Sequence, residues 1–232
     1  MRDMSISLHE ARIEAMNSFL RKVYHWMAVG LILTAVVAHW VASNPSVFQA
    51  VAGFMIVLLI AELALVIGLS WGINRISATT AMVVFMVYSL LNGVTLSVVL
   101  LVYTREAVAS AFFTAAGMFG GMSLYGLYTK RDLSELHSFL MMGLIGLVFA
   151  GIVNIFVGNG VADIVISAIG ILVFMGLTAY DTQYLRNLGA QVNIDSGDEN
   201  AQKLAVIGAL KLYLDFVNLF LYLLRFFGKR RN

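Results

Sequence analysis

Seven stretches of this chain are each long and apolar enough to be dissolved in lipid, and lipid permits very few folds. No water is present in a bilayer core to satisfy backbone N–H and C=O groups, so only helices and closed barrels cross it. The runs lie at approximately 23–42, 47–69, 78–102, 106–128, 138–158, 162–185 and 206–227. About 20 helical residues cover the roughly 30 Å hydrocarbon layer. Soluble domains carry about a quarter charged residues, whereas this chain has 12% charged and 60% apolar residues and a single proline. The expected fold is an all-α integral membrane protein with seven transmembrane helices.

Most connections are short: Ser43-Asn-Pro-Ser46, Thr104-Arg105 and Gly158-Asn-Gly160 are turn residues suited to sharp reversals between antiparallel neighbours. The one long connection, Arg186 to Lys203, contains Asp195-Ser-Gly-Asp-Glu-Asn200. The expected organisation is a polar N-terminal tail (1–22), one seven-helix domain (23–228) and a basic C-terminal tail (229–232). The first apolar run exceeds a usual signal-peptide core, which makes it a retained span. Lysines and arginines of short loops stay on the cytoplasmic side. An inside N-terminus places Arg2, Arg12, Arg21, Lys22, Arg75, Lys130, Arg131, Arg186 and Lys203 there and leaves only Arg105 in the opposite loops. Seven full crossings then put Arg225, Lys229, Arg230 and Arg231 outside, against the same rule; a re-entrant last segment is the alternative.

Cysteine is absent and the net charge is only +2. Disulfides, thiol nucleophiles and thiolate metal sites are thereby excluded, and nothing argues for nucleic acid. No Gly-rich phosphate loop and no nucleophile with a positioned base is visible, so an enzyme is not expected. What chemistry there is lies in acids at membrane depth, where an ionised carboxylate costs several kcal/mol unless it is paired, protonated or watered. Helix rise puts Glu62 roughly 10 Å, Asp181 roughly 6 Å and Asp215 roughly 13 Å from the cytoplasmic side. Asp181 and Asp215 are on consecutive antiparallel spans. If they meet, they share one proton, because a second charge at hydrogen-bonding distance raises the upper titration of the pair. The half-protonated pair then holds two helices together and the fully ionised pair pushes them apart. Thr178, Thr182 and Asn218 are nearby polar helpers. The structural alternative is that Lys211, at i−4, pairs with Asp215 and that Arg186 does the same for Asp181.

Gly176-Leu-Thr-Ala-Tyr-Asp-Thr-Gln183 and Leu212-Tyr-Leu-Asp-Phe-Val-Asn-Leu-Phe-Leu-Tyr-Leu-Leu-Arg-Phe-Phe-Gly228 resemble the Bax inhibitor (transmembrane Bax inhibitor motif) family. Supporting stretches are Tyr88 to Leu96 with Asn92-Gly93, and Lys130-Arg-Asp-Leu-Ser134, so the likeness covers about Val23 to Gly228. It implies six helices around a central C-terminal seventh, and a pH-sensitive calcium leak whose proton sensor is a carboxylate pair at the positions of Asp181 and Asp215. It also implies an acid on the second helix, matching Glu62, and an arginine latch for which Arg75 is the nearest candidate, although the stretch after Glu62 is longer than the family pattern. The short tails give the likeness a bacterial character and imply the cytoplasmic (inner) membrane.

A leak agrees with the residues read alone. Calcium is a hard cation satisfied by carboxylate, carbonyl and water oxygens, so Asp181 and Asp215 are candidate transient calcium ligands, and calcium is a permeant ion rather than a cofactor. Glu62, Arg75, Lys211 and Asn218 are candidate pathway or latch groups. Phe216, Leu219, Phe220 and Leu223 form either a dewetted plug or ordinary packing. The expected partners are the lipid bilayer, calcium, protons and other membrane proteins. Two competing functions remain: a proton-coupled transporter, for which no duplicated broken helices point to a substrate site, and a membrane-embedded regulator of other membrane proteins such as quality-control proteases.

Weaker signals add little. Gly68-xxx-Gly72 and Gly117-xxx-Gly121 suit close helix contact. The acids Asp195, Asp198 and Glu199 lack the EF-hand spacing and suit a solvated loop. His9-Glu10 lacks the second histidine of a zinc-protease motif, since position 13 is Ile. His25 and His39, with Trp26 and Trp40, suit interfacial anchors, and His137 beside Glu135 is a candidate modifier of pH response. A retinal protein would use a lysine in the last span, but span three has no acidic counter-ion.

Overall fold

The computed structural model describes residues 2–72, 75–191 and 199–229, with side chains from Glu10 onward. The elements are α1 (Arg2–Ser43), α2 (Pro45–Ala52), α3 (Met55–Gly72), α4 (Ala78–Val102), α5 (Arg105–Tyr128), α6 (Ser134–Val157), α7 (Gly160–Gly189) and α8 (Glu199–Phe227), and no strand occurs among the described residues. All but the eight-residue α2 are long and apolar enough to cross a membrane. The protein is an integral membrane protein of seven candidate spans. Side chains such as Ile56, Leu59, Ile60 and Leu63 on α3, and Phe149, Ile152, Ile155 and Phe156 on α6, are exposed, and a solvent of lipid removes the cost that water would impose.

The helix ends follow local chemistry. Thr104 opens α5 by accepting from Ala107 N–H at 3.3 Å, and Ser77 Oγ accepts from Thr80 N–H at 3.1 Å before α4, both satisfying amides that the first turn leaves orphaned. Gly158 ends α6 in the left-handed region (φ 65°), where a side chain is strained. Asn159 then accepts from Val161 and Ala162 N–H at 2.9 and 3.3 Å, starting α7 at once.

Several boundaries differ from the sequence expectation. The second apolar run is not one helix: it breaks at Gly53-Phe54 into α2 and α3, with Pro45 starting α2. Residues 2–22, expected as a polar N-terminal tail, are helical and form the first half of α1. Phe19, Leu20 and Val23 are buried, and the Arg12 guanidinium donates to the Ala190 carbonyl at 2.9 Å. The long connection shrinks because α7 runs to Gly189 and α8 begins at Glu199. Glu199 thus belongs to a helix, where it accepts from Ala78 N–H at 3.2 Å and pairs with Lys203 at 3.2 Å. Asp195, Asp198, Arg230, Arg231 and the side chains of Arg2 and His9 lie outside the described residues. α8 runs unbroken for 29 residues. It is also the most buried span among the described residues: 61% of its most apolar stretch is covered, against 11% in α3 and α6.

The chain divides into two compact units. The first comprises Met1–Val102 with Leu185–Tyr213, and the second Tyr103–Tyr184 with Leu214–Asn232. In the first, α1 packs along α4 and α3 along the same helix. Glycine permits this approach: a Cβ on Gly93 would stand 2.8 Å from the Thr34 carbonyl oxygen. The buried positions of α4, Ala78, Ala81, Phe85, Tyr88, Ser89, Asn92, Gly93 and Ser97, recur at helical spacing and form the stripe that receives its neighbours. In the second unit, Gly126 of α5 lies directly against the Ala179 carbonyl of α7.

Candidate functional site

Glu62 and Leu69 are the only buried residues of α3. Their spacing of seven puts both on the side of α3 turned to α4, so an acid sits where a packing side chain is expected. It is held there by α4: Asn92 Nδ2 donates to Glu62 Oε2 at 3.0 Å, and Thr95 Oγ1 lies 2.8 Å from Oε1. Beyond Asn92 the polar row continues through apolar surroundings. Tyr213 OH of α8 is 3.0 Å from Asn92 Oδ1 and 2.6 Å from Thr34 Oγ1 of α1, and Thr34 Oγ1 is 2.9 Å from the Ser89 carbonyl. The Tyr213 ring is fixed edge-on by Phe85 and Tyr88, with centroids at 5.8 and 5.6 Å. Buried polar groups demand partners; here α4 supplies them to the α3 carboxylate directly, and α8 and α1 extend the row through Asn92.

Asp181 and Asp215 both belong to the second unit, on α7 and α8, and are 7% and 4% exposed. Both engage neighbouring groups. The residues proposed as their helpers have local roles as well. Thr178 Oγ1 donates to Phe174 O at 2.7 Å and Asn218 Nδ2 to Leu214 O at 2.8 Å, each on its own helix, while Thr182 Oγ1 lies 3.4 Å from Ser123 Oγ of α5. The His137 ring of α6 lies against that of Tyr180, the residue before Asp181, with centroids 4.5 Å apart and the planes tilted by 33°. Lys211 is half-buried. Arg75 is exposed in the turn before α4 and forms no ion pair with a described residue. Phe216 is buried edge-on against Phe112 and Phe119 of α5 at 5.6 Å each, Leu219 and Leu223 are buried, and Phe220 is half-buried.

Sequence reasoning missed Gln183. Its amide is buried and completes the turn between α5 and α6: Oε1 accepts from Leu133 N–H and Nε2 donates to the Arg131 carbonyl, both at 2.8 Å. A glutamine two residues after an aspartate, at the end of an apolar run, was the available signal. Thr34 and Tyr213 were missed because single hydroxyls in apolar runs are common; only Thr34 lying four residues after Gly30 marked a close-packed polar face. The Arg225 guanidinium, assigned by sequence to the far end of the last span, approaches Asp163 at the start of α7 at 3.6 Å. These two line a cleft of about 390 Å³ with Asn154 and Asn159; neither aspartate of the candidate gate lines it. Among the described residues no three His, Cys, Asp or Glu side chains gather as a metal site.

The chain matches the family described as "Inhibitor of apoptosis-promoting Bax1" over residues 16–232. It is 50% identical to the inner membrane protein YbhL of Escherichia coli (strain K12), over 93% of each chain. It is 42% identical to the uncharacterized protein RP147 of Rickettsia prowazekii, over 94% of this chain and 92% of that one. It is 37% identical to a membrane protein of Streptococcus pyogenes serotype M6, over 92% of this chain and 93% of the relative.

Proposed function

The chain belongs to the Bax inhibitor family, and on that footing we propose that it is a pH-sensitive cation leak, with calcium as the permeating ion and Asp181 and Asp215 as the gate. One observation carries the reading: both aspartates are buried in helices long and apolar enough to cross a membrane. Acids in that position are retained for proton or ion handling, because an uncompensated carboxylate there is costly. A carboxylate pair holding one proton keeps α7 and α8 together; loss of that proton sets two like charges against each other and loosens the helices. Calcium then meets carboxylate oxygens that attract it without forming a tight cage. Phe216, Leu219 and Leu223 give the path an apolar section that conducts only when wetted. The membrane is the bacterial inner membrane, as for the Escherichia coli relative, with the N-terminus in the cytoplasm.

The test is calcium flux into liposomes that contain only this protein, between about pH 5.5 and pH 8. Wild type is expected to pass calcium with a pronounced pH dependence. Asp181→Asn and Asp215→Asn are each expected to bring the ratio of fluxes at the two extremes to about one, since an amide carries no charge and the remaining carboxylate then has no like charge to repel it. Folded wild-type protein that passes no calcium at any pH would overturn the leak, and a pH dependence untouched by both substitutions would overturn the gate.

A further inference from the structure

Three hydroxyl hydrogens of the first unit have more acceptors than they can serve. Thr95 Oγ1 is 2.8 Å from Glu62 Oε1 and 3.0 Å from the Asn92 carbonyl. Tyr213 OH is 3.0 Å from Asn92 Oδ1 and 2.6 Å from Thr34 Oγ1. Thr34 Oγ1 also lies 2.9 Å from the Ser89 carbonyl. Each hydroxyl carries one hydrogen, so these contacts cannot all be made at once. The Asn92 amide adds a further choice, since its oxygen and nitrogen exchange places with little change of shape.

Two self-consistent settings result, and the charge of Glu62 selects between them. With Glu62 ionised, Thr95 and Asn92 Nδ2 both donate to it, Tyr213 donates to Asn92 Oδ1 and Thr34 donates to Tyr213. With Glu62 protonated, its O–H needs an acceptor. A turned Asn92 offers Oδ1 to it and Nδ2 to Tyr213; Tyr213 then donates to Thr34, Thr34 to the Ser89 carbonyl, and Thr95 swings to the Asn92 carbonyl. Every distance above serves one setting or both. One proton enters, none leaves, and the hydrogen bonds from Asn92 to Thr34 reverse direction.

We infer that this row is a proton-reversible relay in which Asn92, Tyr213 and Thr34 are positioning residues for Glu62. The titratable groups that face Glu62 are Tyr88 of α4 and, through Asn92, Tyr213 of α8. α1 brings only the hydroxyl of Thr34, and no lysine, arginine or histidine among the described residues pairs with Glu62. Proton uptake here needs neither calcium nor the paired aspartates, so the relay stands apart from the leak.

The experiment is an infrared pH titration of the full-length protein in liposomes, following the carboxylic acid band that Glu62→Gln removes. Thr34→Val keeps the shape of the side chain and touches Glu62 nowhere. In the ionised setting it costs Tyr213 one incoming donor; in the protonated setting it strands the Tyr213 O–H without an acceptor. A stranded buried donor is the costlier defect, so the Glu62 midpoint is expected to fall by about half a pH unit or more. Thr34→Ser, which restores the hydroxyl, is expected to keep the wild-type midpoint. Tyr213→Phe strands an Asn92 N–H in the protonated setting, and is expected to move the midpoint the same way if Thr34→Val does not fold. A midpoint in folded Thr34→Val equal to wild type, or a Thr34→Ser shift as large as that of Thr34→Val, would overturn the relay.

Discussion

Two buried amides in this protein solve opposite problems. Gln183 in the second unit has a backbone donor on one side, Leu133 N–H, and a backbone acceptor on the other, the Arg131 carbonyl. Turning the amide over would break both bonds. Asn92 in the first unit stands between a carboxylate and a hydroxyl, Glu62 and Tyr213, and turning it exchanges one good set of bonds for another. A polar group facing fixed backbone specifies one geometry, whereas one facing groups that can change their proton keeps two. Glutamine here is an anchor for the α5–α6 turn, and asparagine is a reversible joint.

The largest effect expected from this contrast is at Gln183. Gln183→Leu fills the same space but leaves an N–H and a carbonyl of the turn without their partner, at about 2–3 kcal/mol. Thermal unfolding in detergent should show this loss to the same extent in mildly acidic and mildly alkaline buffer, because no titrating group takes part. A loss that grew or vanished with pH would break the anchor reading. A smaller effect is expected at Tyr213. Tyr213→Phe preserves the edge-on packing against Phe85 and Tyr88 and removes one hydroxyl from a row that can rearrange around the gap, so about 1 kcal/mol is expected. If Tyr213→Phe cost as much as Gln183→Leu, the row would be as rigid as the clamp and the contrast would fail.

The parts legible in the sequence were those set by single segments. The apolar run 78–102 became α4 with the same limits, Ala78–Val102, because a bilayer-length run bounded by polar turns has one helical solution. Glu62, Asp181 and Asp215 stood out because each is an acid among apolar neighbours, and all three are buried. What escaped was assembled across helices. Thr34, Asn92 and Tyr213 lie on three helices far apart in the chain, and nothing local tells a bonded tyrosine from a lipid-facing one. The break of the second run at Gly53-Phe54 and the helical start of α1 escaped as well. The start of α1 depends on where Phe19 and Leu20 find a surface, which periodicity leaves open, and a lone glycine in an apolar run does not by itself mark a break.

Asp132, in the turn that Gln183 holds, separates local capping from the clamp itself. Its carboxylate accepts from Ser134 N–H at 2.9 Å at the start of α6, and that backbone hydrogen bond holds it below the ordinary carboxylate range. A folded-state value lowered in this way stabilises the protein above the unfolded value, and the contribution disappears as pH falls through the folded one. The side chain is fully exposed, so water screens the effect and it is the smallest of the series. Asp132→Asn keeps an oxygen for Ser134 but not its charge. Its unfolding temperature is expected slightly below wild type at neutral pH, with the two converging in acid as the wild-type carboxylate becomes neutral. A gap that persisted in acid would mean that Asp132 acts through packing of the turn, and part of what is ascribed to Gln183 would then belong to its neighbour.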